Sequence, residues 1–215
     1  MSDNNNLVPD ILFNQNDYTV HEHTLKYQGF FKISEYKISH KLFNGGTSNI
    51  LSREIFERGD AVVLLPYDPV NDVIIFNEQF RPGVMGGSHS PWLLEFVAGM
   101  FGENESPIEV AIREAKEEPN LDILPQDTTK IMEYYSSAGG TSEKIHLYAA
   151  TIDSTNVGGV YGIPEEGEDI KIHVIKRVDA MKLLNEGKII NAASIIGLQW
   201  LQMNYRQLQN ALTKR

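Results

Sequence analysis

Between Gly99 and Ile123 the chain gathers six glutamates and one aspartate against two cations, Arg113 and Lys116. Like charges one helical turn apart repel, yet this stretch is written as a helix that must lie on a core. Ser106-Pro107-Ile108-Glu109 has the spacing of a capping box with proline at the first helical position, so the helix start is sharply specified. From there Ile108, Ala111, Ile112 and Ala115 recur at spacings of three and four and form a core-directed stripe. At about 100° per residue, Glu114 and Glu118 fall together at one edge of that stripe. Glu117 projects farther toward solvent, and Arg113 lies beyond it. Two carboxylates at i and i+4 beside an apolar face are partly desolvated and mutually repelling, which is costly unless cations neutralise them. Oxygen ligands of this kind favour Mg²⁺ or Mn²⁺. Taken alone, such a charge run is more often a solvated helix face; the residues around it decide otherwise.

The rest of the chain reads mainly as strands. KYQGFFKISEYKISHKLF, the turn residues Asn44-Gly45-Gly46 and SNILSREIF make residues 26 to 56 β-rich. AVVLLPY and DVIIFNEQF flank DPVND and predict a hairpin over 61–80. WLLEFVAG, IMEYYSS, KIHLYAATI and DIKIHVIKRV are further strand-like runs. Asp179 is placed to cap a short helix ending near Gly187, and a last helix over 192–212 sets Ile195, Leu198, Leu201 and Met203 at near-helical spacing. Strands with a few interspersed helices, without regular βαβα alternation, predict an α+β mixed-sheet fold. A small β unit over 1–57 precedes a larger domain over 58–215.

With 215 residues there is length for a sizeable core. A net charge of −10 argues against a general nucleic-acid binder, so an anionic substrate would have to be met by local arginine, lysine or bound cations. There is no cysteine, no signal-peptide pattern at MSDNNNLVPD and no apolar run of membrane-spanning length. A cytoplasmic protein without membrane or nucleic-acid partners is expected.

Counting from Gly99, five residues lead to Glu105, seven more to Arg113-Glu114, and then follow Ala115, Lys116, Glu117-Glu118, Pro119, Asn120 and Leu121. This resembles the Nudix box, Gly-x5-Glu-x7-Arg-Glu-U-x-Glu-Glu-x-Gly-U, where U is apolar, with every Gly, Glu and Arg position ahead of the final glycine matched. REIFERGDAVVLLPYDP, EQFRPG, PWLLEFVAGM and GGTSEKIHLY are similar, in this order, to the bacterial ADP-ribose pyrophosphatase branch of the Nudix hydrolases. The resemblance implies an α/β/α sandwich around a mixed sheet, preceded by a small β domain that helps form a domain-swapped homodimer. It implies Mg²⁺-dependent hydrolysis of ADP-ribose to AMP and ribose 5-phosphate. The alternatives are another nucleotide sugar, such as GDP-mannose or ADP-glucose, and a non-catalytic ADP-ribose sensor, which the complete set of box glutamates disfavours.

Carried over residue by residue, the resemblance makes the Ala98 carbonyl, Glu114, Glu118 and Glu168 metal ligands. Glu166 becomes the general base, and Glu117 supplies charge and hydrogen bonds beside them. Arg113 orients the glutamates by ion pairing. Arg53 and Arg81 are candidate phosphate binders, Phe30 a ring for adenine and Glu143 a contact on the ribose side. Read without the resemblance, Glu166 and Glu168 belong to a solvated loop, Arg53 and Arg81 to surface ion pairs, Phe30 to a half-buried strand, and 139–143 to a hairpin turn. His21-x-His23 carries no site, and Trp92 and Trp200 are core or interface residues. Two positions depart from the family pattern. Asn120 replaces the final glycine of the box, where a residue able to take φ > 0 is demanded, and Ala138 replaces a proline often found in a Ser-Pro-Gly-Gly setting. Pro119 disfavours helical ψ at Glu118, which predicts a shifted or tightened helix end.

Overall fold

Three strands open the chain: β1 (Tyr18–Gln28), β2 (Lys32–His40) and β3 (Leu51–Glu57), paired antiparallel in that order. The computed structural model describes residues 11–102, 104–162 and 167–212. Its contacts divide the chain into two units, one running to Arg58 and including Ser137–Ser142, the other made of Gly59–Ser136 and the chain from Glu143 onward.

In the first unit, β1 contains YTVHEHTL, which the sequence pattern places outside the strands. Two register shifts, between Val20 and Glu22 and between Leu25 and Tyr27, interrupt the two-residue period that would have marked it. The two histidines of this strand are used separately, His21 on Ser39 Oγ at 2.8 Å and His23 stacked on Tyr36. Gly45 and Gly46 turn the β2–β3 connection at φ 88° and 78°, a region open to glycine and strained for a side chain. Ser137–Ser142 joins this unit through Phe56 N to Gly140 O and Ser142 N to Phe56 O, at 2.9 and 3.2 Å.

The second unit is built on β4 (Ala61–Asp68) and β5 (Val73–Phe80), the predicted hairpin. Asp68 fixes its turn by accepting from the backbone of Val70 and Asn71 at 2.8 and 3.0 Å. The two strands pair only at Tyr67–Ile74 and Asp68–Val73 and then part. WLLEFVAG fills the gap as two strands instead of one: β6 (Trp92–Glu95) pairs with β5, and β7 (Val97–Met100) pairs with β4. The chain changes partner at Phe96. A Cβ on Gly197 would stand 2.6 Å from the Phe96 ring, so glycine lets the last helix settle on that crossing.

The remaining elements are α1 (Pro107–Glu117), β8 (Thr128–Tyr135), β9 (Lys144–Thr151), β10 (Gly159–Tyr161), β11 (Ile170–Lys176), α2 (Arg177–Asn185) and α3 (Ala192–Leu212). The main sheet runs β10-β11-β5-β4-β9-β8, with β4 and β9 parallel and its other pairs antiparallel. Its two faces have separate cores. Val62, Leu64, Ile75 and Val97 pack with Val110, Ala111 and Ala115 of α1, while Val63, Leu65, Phe76 and Phe96 pack with Ala180 of α2 and Leu198 and Leu201 of α3. Every residue of β4 is buried as a result. This is the expected α/β/α arrangement around a mixed sheet.

Asp179 lies in the first turn of α2, not at its cap; Lys176 is the N-cap. The entry is held instead by Arg177, whose N–H donates to Asp72 O at 2.9 Å and whose guanidinium pairs with the Asp72 carboxylate. Trp200 packs against the core, whereas Trp92 is 54% exposed and meets Phe80 edge-on. No helix among the described residues is long and apolar enough to cross a membrane.

Candidate active site

Helix α1 begins as its sequence demands. Ser106 accepts from Glu109 N, and the Glu109 carboxylate accepts in return from Ser106 N at 2.8 Å. The helix is laid on β7 and β4 by its apolar stripe, and that contact carries Glu114 onto the backbone of Gly99. A side chain at position 99 would occupy the place of the Glu114 carboxylate, so the first glycine of the box is a steric requirement of its second glutamate. Ala98, whose carbonyl is a candidate ligand, is the preceding residue on β7.

Glu118 is only 5% exposed and accepts from Asn77 Nδ2 at 2.6 Å. Burial pushes its carboxyl up to about 8, reinforced by the charge of Glu114 and then Glu168; Asn77 and Arg81 oppose the rise without cancelling it. Burial likewise pushes Glu114 up to about 7, against the opposing charge of Arg113 and with added repulsion from Glu117 and Glu168. Glu168 is thus within electrostatic reach of both helix glutamates. A Cβ on Gly162 (φ 113°) would lie 2.8 Å from the Cβ and carbonyl oxygen of Glu168, a close backbone approach that admits only glycine. Glu166 falls outside the described residues.

Arg113 gathers the acidic residues on the solvent side, with 3.1 Å to Glu105, 2.8 Å to Glu114 and 3.0 Å to Glu117. Burial works against its charge, but pairing with Glu105 and Glu114 outweighs it and holds the guanidinium above its ordinary value. Glu117, with its side chain 42% exposed, is held by this pair and adds repulsion at Glu114. Arg81 follows β5 and donates from Nε to Glu95 at 2.6 Å. Glu143 is buried and accepts from Ser136 Oγ at 2.8 Å.

Phe30 and Arg53 belong to the N-terminal unit. Phe30 is 87% exposed in the turn between β1 and β2, edge-on to Phe31, and so is not a half-buried strand residue. Arg53 is exposed on β3 and donates from Nη1 to Ser52 O at 2.7 Å. Around the helix, the structure brings together Ala98, Glu114, Glu118, Glu168 and Arg81.

No family model matches the chain. It is 44% identical over 207 residues to the ADP-ribose pyrophosphatase of Escherichia coli K12, covering 95% of this chain and 98% of that protein. It is 43% identical over 202 residues to the ADP-ribose pyrophosphatase of Haemophilus influenzae, covering 93% and 92%. The chain belongs to the ADP-ribose pyrophosphatase family of Nudix hydrolases. It is also 33% identical over 174 residues to a GDP-mannose pyrophosphatase of Pectobacterium atrosepticum, covering 79% and 86%. The fold matches the crystal structure of an ADP compounds hydrolase at a TM-score of 0.63 and 20% identity, over 87% of this chain and 96% of the other.

The departure at the end of the Nudix box keeps its conformation. Asn120 has φ 54°, and Leu121 N donates back to Ala115 O at 2.7 Å, closing the helix as a glycine there would. Pro119 does not expel Glu118 from the helical region. Glu118 stays at φ −83°, ψ −74°, held by its N–H to Glu114 O at 2.9 Å and by its buried carboxylate.

Three polar residues of the larger unit are not marked as site residues by the sequence, although Glu95 falls within PWLLEFVAGM. Asn77 and Glu95 lie opposite each other in the β5–β6 register, and Asn191 donates to Glu95 Oε1 at 2.6 Å. The first two do leave a trace: a lone Asn in DVIIFN and a lone Glu in WLLEF each need a partner once the strand is buried.

Proposed function

We propose that the chain hydrolyses the diphosphate bond of ADP-ribose to AMP and ribose 5-phosphate with Mg²⁺ or Mn²⁺. The observation that carries this reading is the pairing of a buried Glu118 with a part-buried Glu114, present in a chain 44% identical over 95% of its length to an ADP-ribose pyrophosphatase. A carboxylate kept from ionising by burial and by its neighbour is a group waiting for a cation. Among the described residues no three carboxylate or imidazole groups close on one point. The donors offered are therefore Glu114, Glu118, the Ala98 carbonyl and Glu168, an all-oxygen set suited to a hard divalent ion. Asn77 Oδ1 is buried without a hydrogen-bond partner, a state that costs about 1–3 kcal/mol and fits an acceptor completed only when the site is loaded.

When bound, the metal supplies charge neutralisation of the diphosphate and of the glutamates and acidifies water. Arg81 binds diphosphate oxygens through its guanidinium. Glu166 takes the proton of the water that attacks phosphorus as the bridging P–O bond breaks. Arg113 keeps Glu114 and Glu117 oriented. Phe30 and Arg53 offer an exposed ring and guanidinium of the kinds that take a purine and a phosphate, and Glu143 accepts from ribose hydroxyls. Exposed Tyr18, Val20, Leu25 and Tyr27 on β1 favour a homodimer, which sedimentation at twice 24.2 kDa would register and a monomer would refute. The absence of cysteine favours the cytoplasm.

The test is a comparison of initial rates with Mg²⁺ on ADP-ribose, ADP-glucose and GDP-mannose. ADP-ribose is expected to turn over fastest. Equal or faster turnover of GDP-mannose moves the assignment to that substrate, and binding without turnover of any of them identifies a sensor.

A further inference from the structure

Glu95 is a carboxylate at 5% exposure in the middle of an apolar run, and both of its oxygens are engaged. Oε2 accepts from Arg81 Nε at 2.6 Å, and Oε1 accepts from Asn191 Nδ2 at 2.6 Å. Asn191 is itself committed: its Oδ1 accepts from Ser194 N at 3.1 Å, and its carbonyl accepts from Ile195 N at 3.0 Å, so it caps the first turn of α3. The chain of bonds therefore runs from a helix end anchored in the core, through a buried carboxylate, to a guanidinium whose side chain is 39% exposed.

Among the described residues the two Nη groups of Arg81 make no hydrogen bond. An arginine serving only as a tie would be redundant here, since Arg81 N already closes the 81–91 loop on Pro91 O at 2.7 Å. The charge of Arg81 acts on Glu118, so its guanidinium is within electrostatic reach of the glutamate pair. A free arginine side chain loses about 2 kcal/mol of rotamer entropy when it is ordered. A buried partner that orders it beforehand removes that cost from substrate binding.

We infer that Glu95, held by Asn191, is a positioning residue for Arg81: it occupies Nε and presents both Nη groups, as a preorganised fork, to the diphosphate. This rests on the reading of Arg81 as a diphosphate binder. The relay acts on substrate binding through Arg81.

Steady-state kinetics on ADP-ribose with Mg²⁺ test it in four variants: Glu95→Gln, Asn191→Ser, Arg81→Ala and the double variant Arg81→Ala/Glu95→Gln. Glu95→Gln is expected to raise KM about tenfold while kcat stays within about threefold. Asn191→Ser keeps a helix-capping oxygen and loses the donor to Glu95, so KM should rise by about threefold. In the Arg81→Ala background, Glu95→Gln should change nothing further, because its only route to substrate is gone. If both variants raise KM equally with and without Arg81, the relay is wrong and the Arg81 reading survives. If Arg81→Ala leaves KM unchanged, the diphosphate role of Arg81 falls and the relay falls with it. Should Glu95→Gln fail to fold, Asn191→Ser in the two Arg81 backgrounds separates the same outcomes.

Discussion

Glu117 and Glu118 are neighbours in the chain and face different surroundings at the end of α1. On the solvent side, Glu117 meets Arg113 at 3.0 Å with its side chain 42% exposed, an arrangement that water and one cation satisfy. On the sheet side, Glu118 is 5% exposed, receives one amide hydrogen bond and faces Glu114 and Glu168 with no direct cationic partner among the described residues. One step of about 100° along the helix separates a stable ion pair from a carboxylate that resists ionisation. Charge crowding alone therefore does not call for a cation; crowding at the buried edge of a helix raises the cost of charge that a cation would offset.

The comparison breaks most visibly at Glu118. Glu118→Gln is expected to lower kcat/KM by more than about a hundredfold, since it removes a proposed metal ligand. The same change should leave the metal-free protein no less heat-stable at pH 8, because a buried group that resists charge is replaced by a neutral one of the same size. A fall in metal-free stability at that pH would mean that Glu118 is a structural partner of Asn77 and little more.

Next in size is Glu166→Gln, outside the helix, which is expected to lower kcat by at least about a hundredfold with metal binding retained. Near-parental turnover would remove it as the base. Glu117→Gln should cost roughly three- to tenfold in kcat/KM, acting through Arg113. A loss as deep as that of Glu118→Gln would erase the difference between the two sides of the helix.

The helix was the most legible part of the sequence because its information is local. The capping box, the stripe Ile108-Ala111-Ile112-Ala115 and the glutamate spacing all lie within one element, and the structure reproduces each. What stayed hidden depends on partners far along the chain. The break of WLLEFVAG at Phe96 follows from the parting of β4 and β5, which no pattern within 92–99 encodes. The start of β1 is masked by its own register shifts. The Arg81–Glu95–Asn191 relay joins residues up to 110 positions apart, so only the fold could assemble it. Gly99 was legible as part of a motif, and the structure adds its reason, the space taken by Glu114.

The smallest effect is expected at Asn120. With φ 54°, Asn120→Gly should leave stability within about 1 kcal/mol and activity unchanged, whereas Asn120→Ala should cost about 1–2 kcal/mol in thermal unfolding. An Ala variant as stable as the parent would show that the helix end is not held in the left-handed region in solution.

If a cation completes the buried edge of α1, as proposed, protons report on it directly. Burial pushes Glu114 up to about 7 and Glu118 up to about 8 in the folded chain, against an ordinary 4.5. Their folded values are raised, so the stability they favour is full below about pH 4.5 and is lost as pH rises through 7 to 8 in the metal-free protein. Cation binding must displace the protons they retain. Calorimetric titration of Mg²⁺ at pH 6.5, in two buffers of different ionisation enthalpy, measures that release. Roughly one proton or more released per bound site is predicted, with a clear loss of that release in Glu118→Gln; binding that releases no proton would contradict the claim.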